Sequence, residues 1–205
     1  MIKEKLLVAT TNQGKAKEIQ NYLSSLNLQV NTLSDVDIQD TFPEEKTTFR
    51  ENARGKSLFY SQFWTGLVLA EDSGLEIEHL DGAPGVLSAR FSDPQATDQK
   101  NIQKVLALME GVPPQKRKAR FVSCLVLSRK GNILREIQES VEGFITTQKK
   151  GQHGFGYDPI FYYPPLKKTF AQLLPEEKNR VSHRGRSLKK LKTFLAGHLN
   201  NISSL

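Results

Sequence analysis

The first third of the chain places short apolar runs next to amphipathic segments. The run Lys5–Thr10 predicts a buried strand that leads into a turn containing Gly14 and Lys15. After this turn, apolar residues recur with the i, i+3, i+4 and i+7 spacing of one helix face, at Ile19, Tyr22, Leu23 and Leu26. Leu28–Leu33 follows as a predicted second strand. The chain therefore opens with a strand–helix–strand pattern.

The remaining pattern interleaves further elements and then gathers strands together. Thr48-x-x-Glu51 is a capping box, which predicts the start of a helix. Additional strands are predicted at Gly66–Ala70, from Leu75 onward, and in a hairpin formed by Phe121–Ser128 and Ile133–Phe144. Additional helices are predicted from about Ala96 to Glu110 and along the stripe Leu188, Leu191, Leu195 and Leu199. This order favours an α/β fold, a single domain over residues 1–205 with a mixed central sheet flanked by helices.

Composition narrows the class of protein. Of the 205 residues, 38% are hydrophobic and 25% charged, which is typical of a globular chain. The apolar runs are too short for a membrane-spanning helix, and the N-terminus lacks the features of a signal peptide. The single cysteine, Cys124, excludes an internal disulfide and a cysteine-built zinc site. We therefore expect a soluble protein of the cytoplasm, without a membrane partner.

The formal net charge of +7 suits a polyanionic ligand. One basic cluster, Lys116–Arg120, is interpreted as a solvent-exposed face. A second cluster surrounds a predicted helix start, where an exposed face and an anion site both stay open as interpretations. It comprises Lys178, Arg180, Arg184, Arg186, Lys189, Lys190 and Lys192.

The turn after the first strand is a candidate phosphate site. It consists of Thr10, Thr11, Asn12, Gln13, Gly14 and Lys15. Backbone N–H groups and the helix dipole favour an anion at such a turn, and Lys15 adds charge. Ala9 and Ala16 stand where a Walker A loop requires Gly and Ser or Thr, so this is not that motif. A plain turn with an exposed lysine is the alternative.

Two pairs of acidic residues are candidates for metal binding and acid–base chemistry. Glu44-Glu45 precedes the capped helix, and Glu71-Asp72 follows the predicted strand Gly66–Ala70. Acids before a helix often only complement its dipole. Acids at the end of a strand, however, are expected at the rim of the sheet, where they commonly hold Mg²⁺. Ser73 as a nucleophile is a weak alternative, because no G-x-S-x-G elbow is present.

Two later segments carry aromatic and basic residues. The loop with Phe155, Gly156, Tyr157 and Asp158 offers aromatic surfaces for a nucleobase, although a flexible loop is the alternative. It departs from a dinucleotide fingerprint, which requires Gly where Pro159 stands. The second segment, Lys178–Gly185, combines polyanion charge with His183 and Arg184. His183 by itself would usually be a structural or surface histidine.

Taken in order, these segments resemble the inosine triphosphate pyrophosphatase family, which hydrolyses non-standard purine nucleotides. The shared motifs are T-x-N-x-G-K, E-E before T-F-x-E-N-A, E-D-S-G-L, G-A-P-G-x-x-S-A-R-F, A-T-D-Q-K-N, G-F-G-Y-D-P and S-H-R-G. The resemblance extends from Leu7 to about Leu195. It implies an elongated, two-lobed fold with a long central cleft, usually a homodimer. It also implies Mg²⁺-dependent hydrolysis of ITP, dITP or XTP to the monophosphate and pyrophosphate.

The resemblance assigns roles to individual residues. Thr10 to Lys15 would cradle the triphosphate. Glu45 and Asp72 would bind the metal, and Asp72, with Glu71 beside it, would be catalytic as the general base. Ser73, Phe155 to Asp158, and the basic residues Lys178, His183 and Arg184 would contact the substrate. Glu71, where bacterial members often have Asp, and Thr11, where Gly is common, depart from the family pattern.

Two other functions compete with this hypothesis. A non-catalytic nucleic-acid-binding protein would explain the charge of +7 but not the acidic residues, so no nucleic-acid partner is expected. A pyrophosphatase for pyrimidine nucleotides keeps the same chemistry and differs only in the base.

Overall fold

The computed structural model describes residues 3–38 and 40–203 and confirms the α/β class. Within them the strands are Glu4–Ala9 (β1), Leu28–Thr32 (β2), Leu67–Ile77 (β3), Lys118–Arg129 (β4), Asn132–Ile145 (β5), Phe161–Tyr163 (β6) and Lys168–Thr169 (β7). The α-helices are Gln13–Leu23 (α1), Phe49–Tyr60 (α2), Asp98–Leu108 (α3), Pro175–Val181 (α4) and His183–Ser203 (α5). None of the described helices is long and apolar enough to cross a membrane.

The strands form one seven-stranded sheet in the order β2-β1-β3-β4-β5-β6-β7. β1 pairs in parallel with both β2 and β3, so that Leu6 lies opposite Val30 on one side and Leu67 on the other. β6 pairs antiparallel with β5 and with β7. The predicted mixed sheet is therefore confirmed.

The chain divides into two compact units. Unit 1 contains the described residues up to Asp72, Ser123–Glu139 and those from Gly185 onward. Unit 2 contains Ser73–Val122 and Ser140–Arg184. The four boundaries fall inside β3, β4, β5 and α5, after Asp72, Val122, Glu139 and Arg184.

Unit 1 buries both faces of its strands. Because side chains alternate along a strand, Leu6 and Val8 face one helix layer and Leu7 and Ala9 face the other. The first layer is built by α1 and α5, through Ile19, Leu23, Leu188, Leu191 and Leu195. The second layer includes α2, whose Tyr60 packs with Val68 and Ala70 of β3. α2 thus covers the face of β3 to which residues of even number point.

Unit 2 has one apolar core and, at its edge, a buried guanidinium. The core joins side chains of β3, α3, β5 and the segment after β5, among them Leu75, Val105, Val141, Phe161 and Phe170. Arg117 is only 4% exposed, so its interpretation as part of a solvent-exposed face is wrong. Its guanidinium donates to four backbone carbonyls, those of Met109, Val112, Ile145 and Thr146. Arg117 therefore ties the end of α3 to the end of β5.

Arg117→Met is expected to lower the free energy of unfolding by about 3 kcal/mol or more, because buried carbonyls lose their donors. Urea unfolding measures this change. Arg120→Met is the matched control: Arg120 is exposed and pairs with Glu76, an ion pair that contributes about 0–1 kcal/mol. Equal losses of stability in the two variants would contradict the role of Arg117 in tying the end of α3 to the end of β5.

Candidate functional site

The turn between β1 and α1 is shaped by its own polar side chains. Thr10 Oγ1 accepts from Asn12 N at 3.2 Å, and Asn12 Oδ1 accepts from Lys15 N at 3.0 Å as the N-cap of α1. The N–H groups of Gln13 and Gly14, in the first turn of α1, have no acceptor inside the helix. The turn therefore offers backbone donors to an anion, although the N–H of Lys15 itself belongs to the cap.

β3 continues through the acidic pair, so the prediction that the strand ends at Ala70 is wrong, although the pairing of β3 with β1 ends there, at Ala9 and Ala70. Glu71 and Asp72 lie inside β3, and both are buried. Since successive side chains of a strand point to opposite faces, the sheet separates the two carboxylates. Glu71 Oε1 accepts from Ser123 Oγ at 2.9 Å, and the carbonyl of Glu71 accepts from Lys56 Nζ at 3.2 Å. Asp72 shares the face of Val68 and Ala70, on which α2 packs.

Asp72 lies in a field of charges from three segments of unit 1. Burial raises the pKa of its carboxyl to about 6, and the negative charge of Glu44 raises it as well. The positive charges of Lys15 and Lys56 and a hydrogen bond from Asn52 oppose this rise. The structure therefore brings the predicted lysine of the phosphate turn to the predicted acid of β3. It adds Asn52 and Lys56, to which the sequence analysis gave no role.

The segment before α2 presents Glu44, and not Glu45, to this cluster. Glu44 forms an ion pair with the buried Lys56, whereas Glu45 is exposed. The buried amide of Asn52 holds the segment in this register by accepting from Lys46 N at 3.0 Å and donating to Lys46 O at 3.3 Å. Asn52 and Lys56 are one helical turn apart, so their side chains lie on the same face of α2. The sequence signal for a functional role of Lys56 is its position on the apolar face of this helix.

The loop before β6 in unit 2 is built around a buried carboxylate. Asp158 Oδ2 accepts from Phe155 N at 3.0 Å and pairs with Lys178 Nζ at 2.6 Å. Tyr157 is 4% exposed and donates to the carbonyl of Ser88 at 2.8 Å, so its interpretation as an exposed aromatic is wrong. Burial raises the pKa of the Tyr157 hydroxyl. Phe155, which is only partly buried, remains the aromatic surface of this loop.

Basic residues of unit 2 surround the ring of Phe155. Lys178 Nζ lies 4.7 Å and the Arg184 guanidinium 5.3 Å from the ring centroid. Arg184 donates to Ser73 Oγ at 3.1 Å. His183 stacks on Phe121 at a centroid distance of 4.7 Å and is 4% exposed. The predicted residues Ser73, Phe155, Lys178 and Arg184 are thus brought together, and His183 is packed behind them.

The donor set of unit 1 suits a hard cation that takes few protein ligands. Within the described part of the chain, no group of three or more His, Cys, Asp or Glu residues is arranged to hold a metal ion. Two carboxylates, Glu44 and Asp72, interact electrostatically beside Lys15 and Lys56. Mg²⁺ usually takes one or two carboxylates and completes its shell with water and substrate phosphates. The residues present fit such an ion better than a metal that requires a full protein cage.

Comparison with known proteins identifies the family of the chain. The model of the Ham1 family matches residues 6–194. The dITP/XTP pyrophosphatase of Thermoanaerobacter pseudethanolicus is 41% identical, over 95% of this chain and 98% of that protein. The corresponding protein of Photobacterium profundum is 46% identical, over 91% and 95%. The Staphylococcus aureus Ham1 protein superposes with a TM-score of 0.84 at 35% identity, over 95% of this chain and all of that one. The chain therefore belongs to the Ham1 family.

Proposed function

We propose that this chain is a nucleoside triphosphate pyrophosphatase acting on non-standard purine nucleotides, dITP, ITP and XTP. The products are the nucleoside monophosphate and pyrophosphate. The names of the relatives support this substrate class. The observation that carries the proposal is the buried Asp72, set among Lys15, Lys56 and Glu44. A carboxylate with a raised pKa beside two lysines is equipped to take a proton near a polyanion.

Three residues of the unit 1 cluster, Asp72, Lys15 and Lys56, each have a defined part in the hydrolysis. Asp72 accepts a proton from the attacking water, so that the oxygen of that water can bond to phosphorus as the P–O bond between the α- and β-phosphates breaks. Lys15 and the N–H groups at the start of α1 bind phosphate oxygens. Lys56 offsets the charge that develops on the departing pyrophosphate. Glu71 accepts a hydrogen bond from Ser123 of the neighbouring strand β4, and its part is to support β3 rather than to act in the chemistry.

A Mg²⁺ ion is the proposed cofactor of this cluster, with Glu44 and Asp72 as its protein ligands. When bound, it supplies Lewis-acid polarisation and neutralises phosphate charge. Glu45, the residue assigned from the resemblance, is the competing ligand. Family resemblance also underlies the proposal that the enzyme is a homodimer, which light scattering of the purified protein would test. The proposed location in the cytoplasm rests on the composition of the chain.

The residues of unit 2 are proposed to recognise the nucleoside. Phe155 offers an aromatic face to the base, as stacking requires no particular base edge. Lys178 and Arg184 lie at the same ring and provide positive charge and hydrogen-bond donors. Asp158 fixes this loop from within, because it binds both Phe155 N and Lys178.

A substrate panel tests the proposed function. Release of pyrophosphate is measured with dITP, ITP, XTP, ATP, GTP, dTTP and UTP in the presence of Mg²⁺. We expect turnover of the first three and little of the others. Preferential turnover of dTTP or UTP would indicate a pyrimidine pyrophosphatase, and release of orthophosphate alone would contradict cleavage between the α- and β-phosphates.

Removal of the metal ion should abolish turnover, and Glu44 should determine how much Mg²⁺ is needed to restore it. Chelation by EDTA is expected to stop the reaction and Mg²⁺ to restore it. Glu44→Gln should raise the Mg²⁺ concentration for half-maximal activity by about tenfold or more, since it removes a charged ligand. Calorimetric titration of Mn²⁺ into the wild-type chain and into Glu44→Gln measures the affinity for the metal ion independently of turnover.

Glu45→Gln is the matched control, because it removes the same charge at the neighbouring, exposed position. We expect it to leave the metal requirement nearly unchanged. The reverse result, a large effect at Glu45 and none at Glu44, would restore the assignment made from the resemblance. Full activity in EDTA would contradict the metal site altogether.

A further inference from the structure

The motif A-T-D-Q-K-N contains an acid that the proposed function leaves without a role. Asp98 is the first residue of α3, directly after the N-cap Thr97, whose side chain accepts from Lys100 N. The carboxylate of Asp98 points away from its own helix: Oδ2 accepts from Gly156 N at 2.7 Å. A helix of unit 2 thus holds the loop that carries Phe155.

This contact completes the fixation of Phe155 from both sides. Gly154 and Gly156, its two neighbours, have positive φ angles of 78° and 58°. Asp158 Oδ2 accepts from Phe155 N, which fixes the peptide group before Phe155. Asp98 Oδ2 accepts from Gly156 N, which fixes the peptide group after it. With both peptide planes held by carboxylates, the backbone angles of Phe155 are fixed, which limits the rotamers open to its side chain. Lys178 and Arg184 lie at the ring in the rotamer observed.

We propose that Asp98 is a positioning residue for nucleobase binding, which acts by holding Gly156 N so that Phe155 presents its ring to the base. The inference rests on the proposed function, because it takes Phe155 as the stacking surface. Asp98 does not touch the substrate in this account. It lowers the conformational entropy that is lost when the base binds, because Gly154 and Gly156 would otherwise allow the backbone at Phe155 to take other conformations.

The test separates ligands that contain a base from one that does not. IMP and magnesium pyrophosphate are titrated calorimetrically into the wild-type chain and into Asp98→Ala and Asp98→Asn. Asp98→Ala should weaken IMP binding by about fivefold to tenfold, the loss of one charge-assisted hydrogen bond, and leave pyrophosphate binding unchanged. Asp98→Asn, which keeps a neutral acceptor, should fall between. With ITP, KM should rise while kcat changes little, since stacking holds substrate and transition state alike.

A control and a direct probe distinguish positioning from general destabilisation. Thr97→Ala removes the cap of α3 without touching the loop, so it should lower stability and leave the affinity for IMP unchanged. Hydrogen exchange of the Gly156 amide should accelerate in Asp98→Ala and not in Thr97→Ala.

Three results would overturn the inference. They are unchanged IMP binding in Asp98→Ala, equal weakening of IMP and pyrophosphate, and an equal loss of IMP binding in Thr97→Ala. A wild-type chain that binds IMP but is insensitive to Asp98→Ala would overturn this inference alone. A wild-type chain that neither binds IMP nor cleaves ITP would overturn the proposed function, and the inference with it.

Discussion

Asp72→Asn is expected to lower the turnover number with dITP or XTP by about 10²-fold or more. The amide keeps the size of the side chain but cannot accept a proton from water, and it is a poorer ligand for Mg²⁺. Because the change removes both functions from one position, kcat should fall more than KM rises. Initial rates of pyrophosphate release at saturating substrate and Mg²⁺ measure the effect.

Ser73→Ala is the informative comparison, because Ser73 is the next residue of β3 and points to the other face. Its hydroxyl accepts from Arg184 Nη2 and is proposed to contact substrate only. We expect a reduction of about tenfold or less. An inactive Ser73→Ala together with an active Asp72→Asn would instead support a covalent mechanism through the serine.

Asp72→Asn should be more stable than the wild type in the absence of metal. The pKa of Asp72 rises from 3.8 to about 6 on folding. Between these values the folded chain binds more protons than the unfolded chain, so this group makes stability fall as pH increases from about 4 to about 6. Two pKa units correspond to about 3 kcal/mol. Asp72→Asn should abolish this dependence, as urea unfolding in EDTA at several pH values would show.

Local chemistry was enough to predict the parts of the site that are built within one segment. At the starts of α1 and α2 a side-chain oxygen accepts from the backbone N–H three residues later, Asn12 from Lys15 and Thr48 from Glu51. The predicted helix start at Thr48 is confirmed, and Glu51 Oε2 accepts from Thr48 Oγ1. The strands and helices of the interleaved pattern were also located. In these cases hydrophobic period and capping residues point to the same structure.

Errors arose where a distant contact decides the outcome. The acidic pair suggested a strand end, but β3 continues because Lys56 and Ser123, from other elements, satisfy Glu71. The structure places Glu44 beside Lys56, whereas the predicted ligand Glu45 is exposed. Asn52 contributes to this arrangement because it fixes the backbone of Lys46. Arg117 is buried because it meets carbonyls from residues 109–112 and 145–146. Spacing along the chain contains none of this information, since each partner is brought in by tertiary packing.

Selection of the base should favour ITP and XTP over ATP by about tenfold to a hundredfold in kcat/KM. Hypoxanthine and xanthine carry a 6-oxo group, whereas adenine carries an amino group there. A site that donates hydrogen bonds to this position leaves a donor facing a donor when adenine binds, at about 1–3 kcal/mol for each loss. Rejection of guanine requires the opposite arrangement, in which its 2-amino group finds no acceptor or no room.

The structure narrows the donors that can read the 6-oxo group. Backbone N–H groups of the Phe155 loop were candidates, but those of Phe155 and Gly156 already donate to Asp158 and Asp98. The guanidinium of Arg184 lies at the ring of Phe155 and donates to Ser73 Oγ, and its planar set of N–H groups can serve more than one acceptor. The side chain of Arg184 is therefore the expected main source of discrimination, and His183, which stacks on Phe121 behind it, is the second candidate.

Substitutions at these positions should separate stacking from selection. Phe155→Ala is expected to weaken all purine nucleotides together, because a stacking face does not read the edge of a base. Phe63→Ala, which removes a 46% exposed phenylalanine of unit 1, is its control. Arg184→Ala or His183→Ala should narrow the difference between ITP and ATP in kcat/KM. If the wild-type chain cleaved ATP and ITP equally, the 6-oxo account would be wrong, while Asp72 and its lysines would still explain the hydrolysis.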